Sequence, residues 1–257
     1  MNYQGDVKPD NFTMSHSNLA TGITIRKPVN RWFSLRAGFN MGTITAADSW
    51  NTEDLKPRNL SFATRIKEGY LGLEINLLDM SVNRFNPYIY AGLAVFHFNP
   101  WTTDKDGQKV YLAPLSTEGQ GLSAYPESQP YKLTQICIPF GGGARFMVVD
   151  GINIGFEFNQ RKSVTDYIDD VSGHYVDGDV LLREKGPKAV ELAYRADEIP
   201  GGRPIFPSHG EKRGTPTQMD WYYFLGLTLE ANLSKLGGAI KFDKSAYSRK
   251  CPKNVLY

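Results

Sequence analysis

A strict alternation of apolar and polar residues begins at Ile152 and limits the folds open to this chain. The even-numbered positions are apolar, with Ile152, Ile154, Phe156 and Phe158. The odd-numbered positions are polar or glycine, with Asn153, Gly155, Glu157, Asn159 and Arg161. A period of two residues is typical of a β-strand with two unlike faces. On the wet face of a soluble sheet, glycine would only weaken the strand. A polar face that mixes glycine with charges of both signs favours a barrel with an apolar exterior and a polar interior, as in outer-membrane barrels.

The same alternation predicts further strands along the chain. They cover residues 17–26, 33–42, 70–77, 87–98, 133–148, 152–161 and 221–230. The phase of 87–98 is ambiguous because both of its faces are apolar. Pro139 would be awkward in a central strand unless a bulge accommodates it. An even count needs one more strand, and we interpret Met1 to Val7 as the outer end of a first strand that is partly missing. We therefore predict an all-β fold, an eight-stranded antiparallel transmembrane β-barrel over residues 1–233, followed by a C-terminal tail at 234–257.

Short and long connections alternate between these strands. Short turns are predicted near 27–30, 79–86 and 149–151, and long loops at 48–62, 99–132 and 171–218. Outer-membrane barrels have short periplasmic turns and long external loops, so this pattern predicts the bacterial outer membrane with the tail in the periplasm. Within the last loop, Pro187 to Asp197 predicts a short helix with proline at its start.

The composition and net charge of the chain argue against some classes of protein. No run of eighteen apolar residues occurs, which excludes a transmembrane helix. The net charge of +2 gives no overall field for nucleic acid. No signal peptide opens the chain, and we expect this sequence to lack its processed N-terminus.

Seven charged residues fall on the inward parity of the predicted strands. They are Arg26, Arg36, Glu74, Arg145, Glu157, Arg161 and Glu230. An eight-stranded barrel is just wide enough for side chains to fill, and unpaired charges there are costly. We therefore expect a lumen charge network of ion pairs that plugs the barrel. A catalytic or ion-conducting set, or a soluble barrel with these groups on its surface, are the alternatives.

Other chemistry is sparse, and we predict no catalytic residue, no cofactor and no metal site. The four histidines show no metal-ligand spacing, and neither a GxSxG nor a Walker motif is present. Nothing in the spacing of Cys137 and Cys251 links the two cysteines. Asp166, Asp169 and Asp170 have the oxygen ligands for calcium, but we favour a loop network that pairs them with Arg161 or Arg213.

Several stretches resemble a known family together. They are NYQGD at 2–6, PYIYAGLAVFHFNP at 87–100, LAPLSTEGQG at 112–121, IPFGGGARF at 138–146, FEFNQRKSVTDYIDDVSGHYVD at 156–177, RGTPTQMDWYYFLGLTL at 213–229 and RKCP at 249–252. In this order, over nearly the whole chain, they resemble small outer-membrane β-barrels of Bacteroidota, a family that includes the PorG subunit of the type IX secretion system. The resemblance implies a non-enzymatic outer-membrane anchor for a periplasmic ring of PorK and PorN type.

The tail at 234–257 is basic, with a single acidic residue, Asp243. We expect it to bind the periplasmic partner through Lys241, Phe242, Lys244, Tyr247, Arg249, Lys250 and Lys253. Basic groups steer a partner, while buried aromatic groups supply most of the affinity. A solvated tail, or one attracted to anionic lipid, is the alternative. For the barrel itself, the alternatives are a membrane-embedded lipid-modifying enzyme, an uncharacterised structural paralogue, and a soluble lipocalin-like binder.

Overall fold

The computed structural model describes residues 1–9, 14–51, 54–79 and 83–233. Its fold is all-β, with two short helices, so the predicted fold class is confirmed at that level. The strands are β1 (Asn2–Gln4), β2 (Ala20–Pro28), β3 (Phe33–Ala47), β4 (Ser61–Asn76), β5 (Phe85–His97), β6 (Trp101–Thr103), β7 (Lys109–Tyr111), β8 (Thr134–Val149), β9 (Ile152–Ser163) and β10 (Trp221–Ala231). The helices are α1 (Gly178–Lys185) and α2 (Pro187–Ala193).

Seven long strands form an antiparallel meander in the order β2-β3-β4-β5-β8-β9-β10. Short β1 extends it beyond β10, with Tyr3 opposite Tyr222, and β6 and β7 form a hairpin to the side. The ladder is open, since β1 and β2 are its two ends. The sheet nevertheless curls: Met1 and Asn18 exchange backbone hydrogen bonds of 2.8 and 3.0 Å, and Arg26 on β2 reaches Glu230 on β10.

The two faces of this sheet differ sharply. Its outer face carries exposed apolar side chains from every long strand, such as Ile23, Leu71 (63% exposed) and Leu227 (88% exposed). The ambiguous strand β5 has Ile89 and Leu93 outward and its tyrosines inward. The exposed face is therefore the apolar one, the reverse of an ordinary water-soluble sheet.

Apolar side chains fill the inside of the sheet at the end where the long connections gather. This core includes Tyr3, Ile44, Phe62, Ile66, Phe96, Phe98, Ile168 and Tyr222. A second cluster, formed by Leu122, Val176, Leu181, Ala189 and Ala193, packs α1 and α2 against the loop before β8. The long connections thus form a folded cap over the sheet.

Local geometry refines several sequence predictions. The turn after β2 lies at 29–32, where Val29 donates to Phe33 O at 2.8 Å. Asp150-Gly151 makes the tight hairpin between β8 and β9, and Gly151 has a φ of +85°. Pro139 is accommodated without a bulge: it stays in register opposite Arg161, and the irregularity of the β8–β9 ladder lies between Met147 and Val149.

The predicted helix at 187–197 is shorter in the structure, where α2 ends at Ala193 and a 3-10 turn follows at Ala196–Glu198. Pro187 opens α2 because proline lacks the N–H that the first helical position leaves unpaired. Helix α1 was not predicted, although Asp177 caps it by accepting from Asp179 N and Val180 N. In the described residues, no helix has the length and apolar character needed to cross a membrane.

Candidate functional site: the interior ion network and the carboxyl cluster

Glu74 on β4 is the most buried carboxylate of the interior ion network. Its side chain has no exposed surface and accepts from Arg26 at 2.9 Å and from Arg36 at 3.4 Å. Arg145 on β8 donates to its other oxygen. Alternation places these groups here, because each lies on the inward parity of its strand. One carboxylate thus contacts three guanidinium groups from three different strands.

Glu157 on β9 is the second centre. Arg36 binds it in a bidentate fork, at 2.9 Å to Oε2 and 3.0 Å to Oε1. The Tyr88 hydroxyl donates to Oε2 at 2.6 Å, and Asn159 donates to Oε1. Bidentate, charge-assisted hydrogen bonds of this kind are the strong ones in proteins.

Glu230 on β10 joins the network at the open side of the sheet. It accepts from Arg26 at 2.7 Å and from Arg145 at 3.4 Å, and its side chain is 14% exposed. The network therefore contains three arginines and three glutamates, and it links β2, β3, β4, β8, β9 and β10. Equal numbers of opposite charges leave no net charge buried in this network, where an unpaired charge would be costly.

Arg161 belongs to a separate pair. It binds Glu68 at 2.8 Å, both side chains are fully buried, and Tyr222 and Asn40 also donate to Glu68. Sequence reasoning missed Glu68 because the predicted strand began at residue 70. The sequence did contain evidence for Glu68, because Glu68, Tyr70 and Glu74 are all at even-numbered positions. Extending the alternation backwards from Tyr70 would have placed Glu68 on the inward face of the strand.

Tyrosine rings pack against the guanidinium groups of the network, whose N–H groups bind the carboxylates. Arg36 lies 3.7 Å from the centre of the Tyr90 ring, and Arg145 lies 4.4 Å from that of Tyr88. Cation–π contacts gain strength when both partners are desolvated. Together with the ion pairs, these rings pack around Arg36 and Arg145 on the inner face of the curled sheet.

A second polar centre lies in the cap, around Tyr3. The Tyr3 hydroxyl is 2.6 Å from Asp169 Oδ2 and 2.5 Å from Asp220 Oδ1. Val7 N also donates to Asp169 Oδ2, at 3.0 Å, and Ile168 N donates to Asp220 Oδ2, at 2.7 Å. We call Tyr3, Asp166, Asp169 and Asp220 the carboxyl cluster; both main carboxylates in it are buried.

Asp166 is 4% exposed, and no donor among the described residues makes a well-formed hydrogen bond to its carboxylate oxygens. Burial raises its pKa to about 8, aided by Asp6, Asp169 and Glu118 and opposed by the Ser172 hydroxyl. Burial likewise raises the pKa of Asp169 to about 7 and holds that of Asp220 well above its ordinary range.

Arg213 neutralises the neighbouring carboxylates of the cap. It donates to Glu118 at 2.9 Å and to the Asp170 carbonyl at 2.5 Å, and it lies 3.8 Å from the Asp170 carboxylate. Of the two arginines that the sequence suggested for these loops, Arg213 lies here and Arg161 lies in the interior pair. Burial still raises the pKa of Asp170, to about 6.

The described residues contain no group of three or more His, Cys, Asp or Glu side chains arranged to hold a metal ion. His16 stacks on Trp50, His209 stacks on Tyr125, and His97 contacts the Thr134 hydroxyl at 3.0 Å. Cys137 is buried against the Tyr222 hydroxyl at 3.3 Å. Cys251 and the proposed binding tail, Lys241 to Lys253, lie outside the described residues.

Two concave surfaces lie outside the interior. An apolar groove of about 540 Å³ runs over the outer face of β8, β9 and β10, between Phe146, Ile154, Phe156 and Leu227. A cleft of about 480 Å³ in the cap is lined by Tyr175, Tyr194, Arg58 and Arg213 among others. The guanidinium groups of both arginines are already bound by Asp48, Glu118 and backbone carbonyls.

Comparison with known proteins places the chain by family alone. No curated protein and no solved structure matches it. One family model, described as a domain of unknown function (DUF6089), matches residues 1–180. That match covers β1 to β9, with the arginines and glutamates of the interior up to Arg161, and ends within α1. The chain therefore belongs to the DUF6089 family.

Proposed function

We propose that this protein is a non-enzymatic outer-membrane β-barrel that anchors or aligns a periplasmic protein-secretion assembly. One observation carries the membrane part: the exposed face of the sheet is apolar on every long strand, while its buried face holds paired charges. Water would penalise that arrangement, whereas hydrocarbon favours it. The curl of the sheet, with Arg26 bridging to β10, supports a barrel-like shape.

Aromatic residues support an orientation. Trp32 lies in the short turn after β2, with the Arg31 guanidinium 5.2 Å from its ring. Trp221 opens β10 at the opposite end, near Lys162, and Trp101 lies in β6 beside Lys109. Indole rings prefer headgroup depth, so these residues fit the two interfaces of a bilayer, with Trp32 on the periplasmic side.

The filled interior favours an anchor over a pore. Each charged group of the network contacts an opposite charge, and tyrosine rings cover the remaining guanidinium faces. Such an interior adds stability and orientation rather than a route for solute. The anchoring role itself rests on the resemblance to type IX secretion barrels, which implies a ring of PorK and PorN type as partner.

We assign the docking surface to the short-turn side. The strand direction of β10 carries the chain to that side at Ala231, next to the turns at 29–32 and 150–151. The basic tail that follows supplies Lys241, Lys244, Arg249, Lys250 and Lys253 for steering and Phe242 and Tyr247 as anchors.

Two experiments separate the membrane claim from the partner claim. Membrane fractionation with a carbonate wash tests the first, and release of the protein in soluble form would refute it. Deletion of Lys241 to Tyr257 tests the second. We expect unchanged membrane insertion but weaker co-purification of periplasmic partners and reduced secretion.

A matched control exchanges the basic residues of that tail for glutamine and keeps its length and aromatic residues. Loss of co-purification in both variants would assign the interaction to charge, and loss in the deletion alone would assign it to the aromatic anchors. Normal secretion in the deletion strain, at equal protein level, would rule the tail out and move the search to the turns predicted at 27–30 and 79–86.

A further inference from the structure

The carboxyl cluster holds more acceptors than its hydrogen atoms can serve. The Tyr3 hydroxyl has one hydrogen and lies within 2.6 Å of carboxyl oxygens from both Asp169 and Asp220. It can donate to only one of them. The second short contact requires a proton on that carboxyl, which then donates to the tyrosine oxygen. The two short contacts therefore require one more proton than Tyr3 and two ionised aspartates would carry.

The backbone donors show which aspartate carries it. Asp169 accepts from Val7 N at 3.0 Å and from Val171 N at 2.9 Å, whereas Asp220 accepts from Ile168 N alone. Hydrogen bonds from N–H groups favour the ionised carboxylate. The arrangement is thus Asp220 Oδ1–H to Tyr3 Oη, and Tyr3 Oη–H to Asp169 Oδ2.

This chain of hydrogen bonds joins three separate parts of the molecule. Tyr3 and Val7 belong to the N-terminal segment, Asp169 to the connection after β9, and Asp220 to the start of β10. The same segment is held at its other side by Met1, which bonds Asn18 just before β2. The cluster therefore joins the N-terminal segment to the cap and to the residue before β10.

We propose that the carboxyl cluster is a proton-dependent latch that fixes the N-terminal segment to the cap and releases it as the proton is lost. Loss of the proton leaves two carboxylates facing one tyrosine oxygen, with buried Asp166 beside them. Repulsion among like charges at this buried site then favours the open form.

The surrounding charges keep the latch sensitive to pH. Asp6 faces both Asp166 and Asp169, and Glu118 faces Asp166. Asp170, which follows Asp169 in the chain, faces Tyr167 instead. Arg58 faces Asp169 from the 3-10 turn at Lys56–Arg58, but its guanidinium is bound to Asp48. Arg213 is bound to Glu118 and Asp170. Tyr131 donates to Asp170, and Tyr167 also lies near Glu118.

Hydrogen exchange of the full chain in detergent tests the latch directly. The reporter is the Val7 amide, which donates to Asp169, and the control is the Leu60 amide, which donates to Asp48 in its ion pair with Arg58. Exchange rates are divided by their intrinsic values at each pH. Opening that releases one proton becomes about tenfold more favourable per pH unit.

We expect the normalised protection of Val7 to fall at least about tenfold between about pH 6 and pH 9, while that of Leu60 holds. In Asp220→Asn, the side-chain amide donates to Tyr3 at every pH and its oxygen still accepts from Ile168 N. Val7 protection in this variant should stay flat, and the exposed Asp54→Asn control should follow the wild type.

Three results would overturn the proposal. The first is Val7 protection that does not change with pH in the wild type. The second is an Asp220→Asn variant that loses protection as the wild type does. The third is restoration of protection at high pH by calcium, with loss at low pH on chelation, because that result would assign the cluster to a cation instead of a proton.

Discussion

Glu74→Gln tests whether the interior ion network stabilises the fold. Glu74 is the one carboxylate that contacts Arg26, Arg36 and Arg145 together, and its side chain has no exposed surface. Glutamine keeps the volume and one acceptor oxygen but removes the charge. The interior is then left with three cations and two anions.

The magnitude follows from burial and from the number of partners. Removing one partner of a buried ion pair costs about 3–5 kcal/mol, and the retained acceptor recovers about 1 kcal/mol. We expect Glu74→Gln to lower the free energy of unfolding by about 2–4 kcal/mol. Glu230→Gln is the matched control, because Glu230 has two arginine partners and is 14% exposed. Its cost should be about 1–2 kcal/mol.

Urea unfolding in detergent micelles, followed by tryptophan fluorescence, measures both variants. Arg145→Gln combined with Glu74→Gln restores the charge balance, and the pair should show a favourable coupling of about 1–3 kcal/mol. Equal costs for the Glu74 and Glu230 variants, or additive costs in the double variant, would refute the view that a charge-balanced network stabilises the interior.

Three further predictions follow from the same structure. Leu227→Arg, on the exposed apolar face, should lower the free energy of unfolding in lipid bilayers by about 2–4 kcal/mol. A variant as stable as the wild type would show that Leu227 does not contact the hydrocarbon. The wild-type protein in planar bilayers should give no steady single-channel conductance, and open channels would contradict a filled interior. Burial raises the pKa of Asp166 from the ordinary 3.8 to about 8 and holds that of Asp220 well above its ordinary range, so the native state binds more protons than the unfolded chain between about pH 4 and pH 8. The free energy of unfolding should therefore fall as pH rises from about 4 to about 8 and then level off, and urea titrations across that range check this, with Asp166→Asn flattening the upper part.

Alternation carries much information in this chain, because a strand forces neighbouring residues onto opposite faces. It predicted the all-β fold, and six of the seven charges assigned to the interior meet in one network, from Arg26 to Glu230. Strand ends were harder: β4 begins nine residues before the predicted start, so Glu68 was missed. A bulge is one way to accommodate Pro139 within a strand. Instead, the β5–β8 ladder keeps its register around Pro139 and lacks the backbone pairs of Gly92 and Leu93.

The carboxyl cluster shows what a linear pattern does not contain. Tyr3, Asp169 and Asp220 lie in three unrelated stretches, none of them with a periodic signature. The sequence placed Asp166 and Asp169 with Asp170 in a loop network paired with Arg161 or Arg213, and it linked neither of them to Tyr3 or Asp220. Their actual surroundings depend on how the long connections pack in the cap, which is set by tertiary contacts such as those of Ile168 and Leu192.

The contact between Tyr3 and Asp220 joins residues 217 positions apart. During synthesis β1 therefore has no partner until the ribosome has made the chain as far as β10. Closing so long a loop carries a large entropic cost and makes this step slow relative to hairpins such as β8–β9. The meander from β2 to β9 should form first, and docking of β1 on β10 should be the last event, so a chaperone that holds this protein would meet a sheet with both of its ends still unpaired.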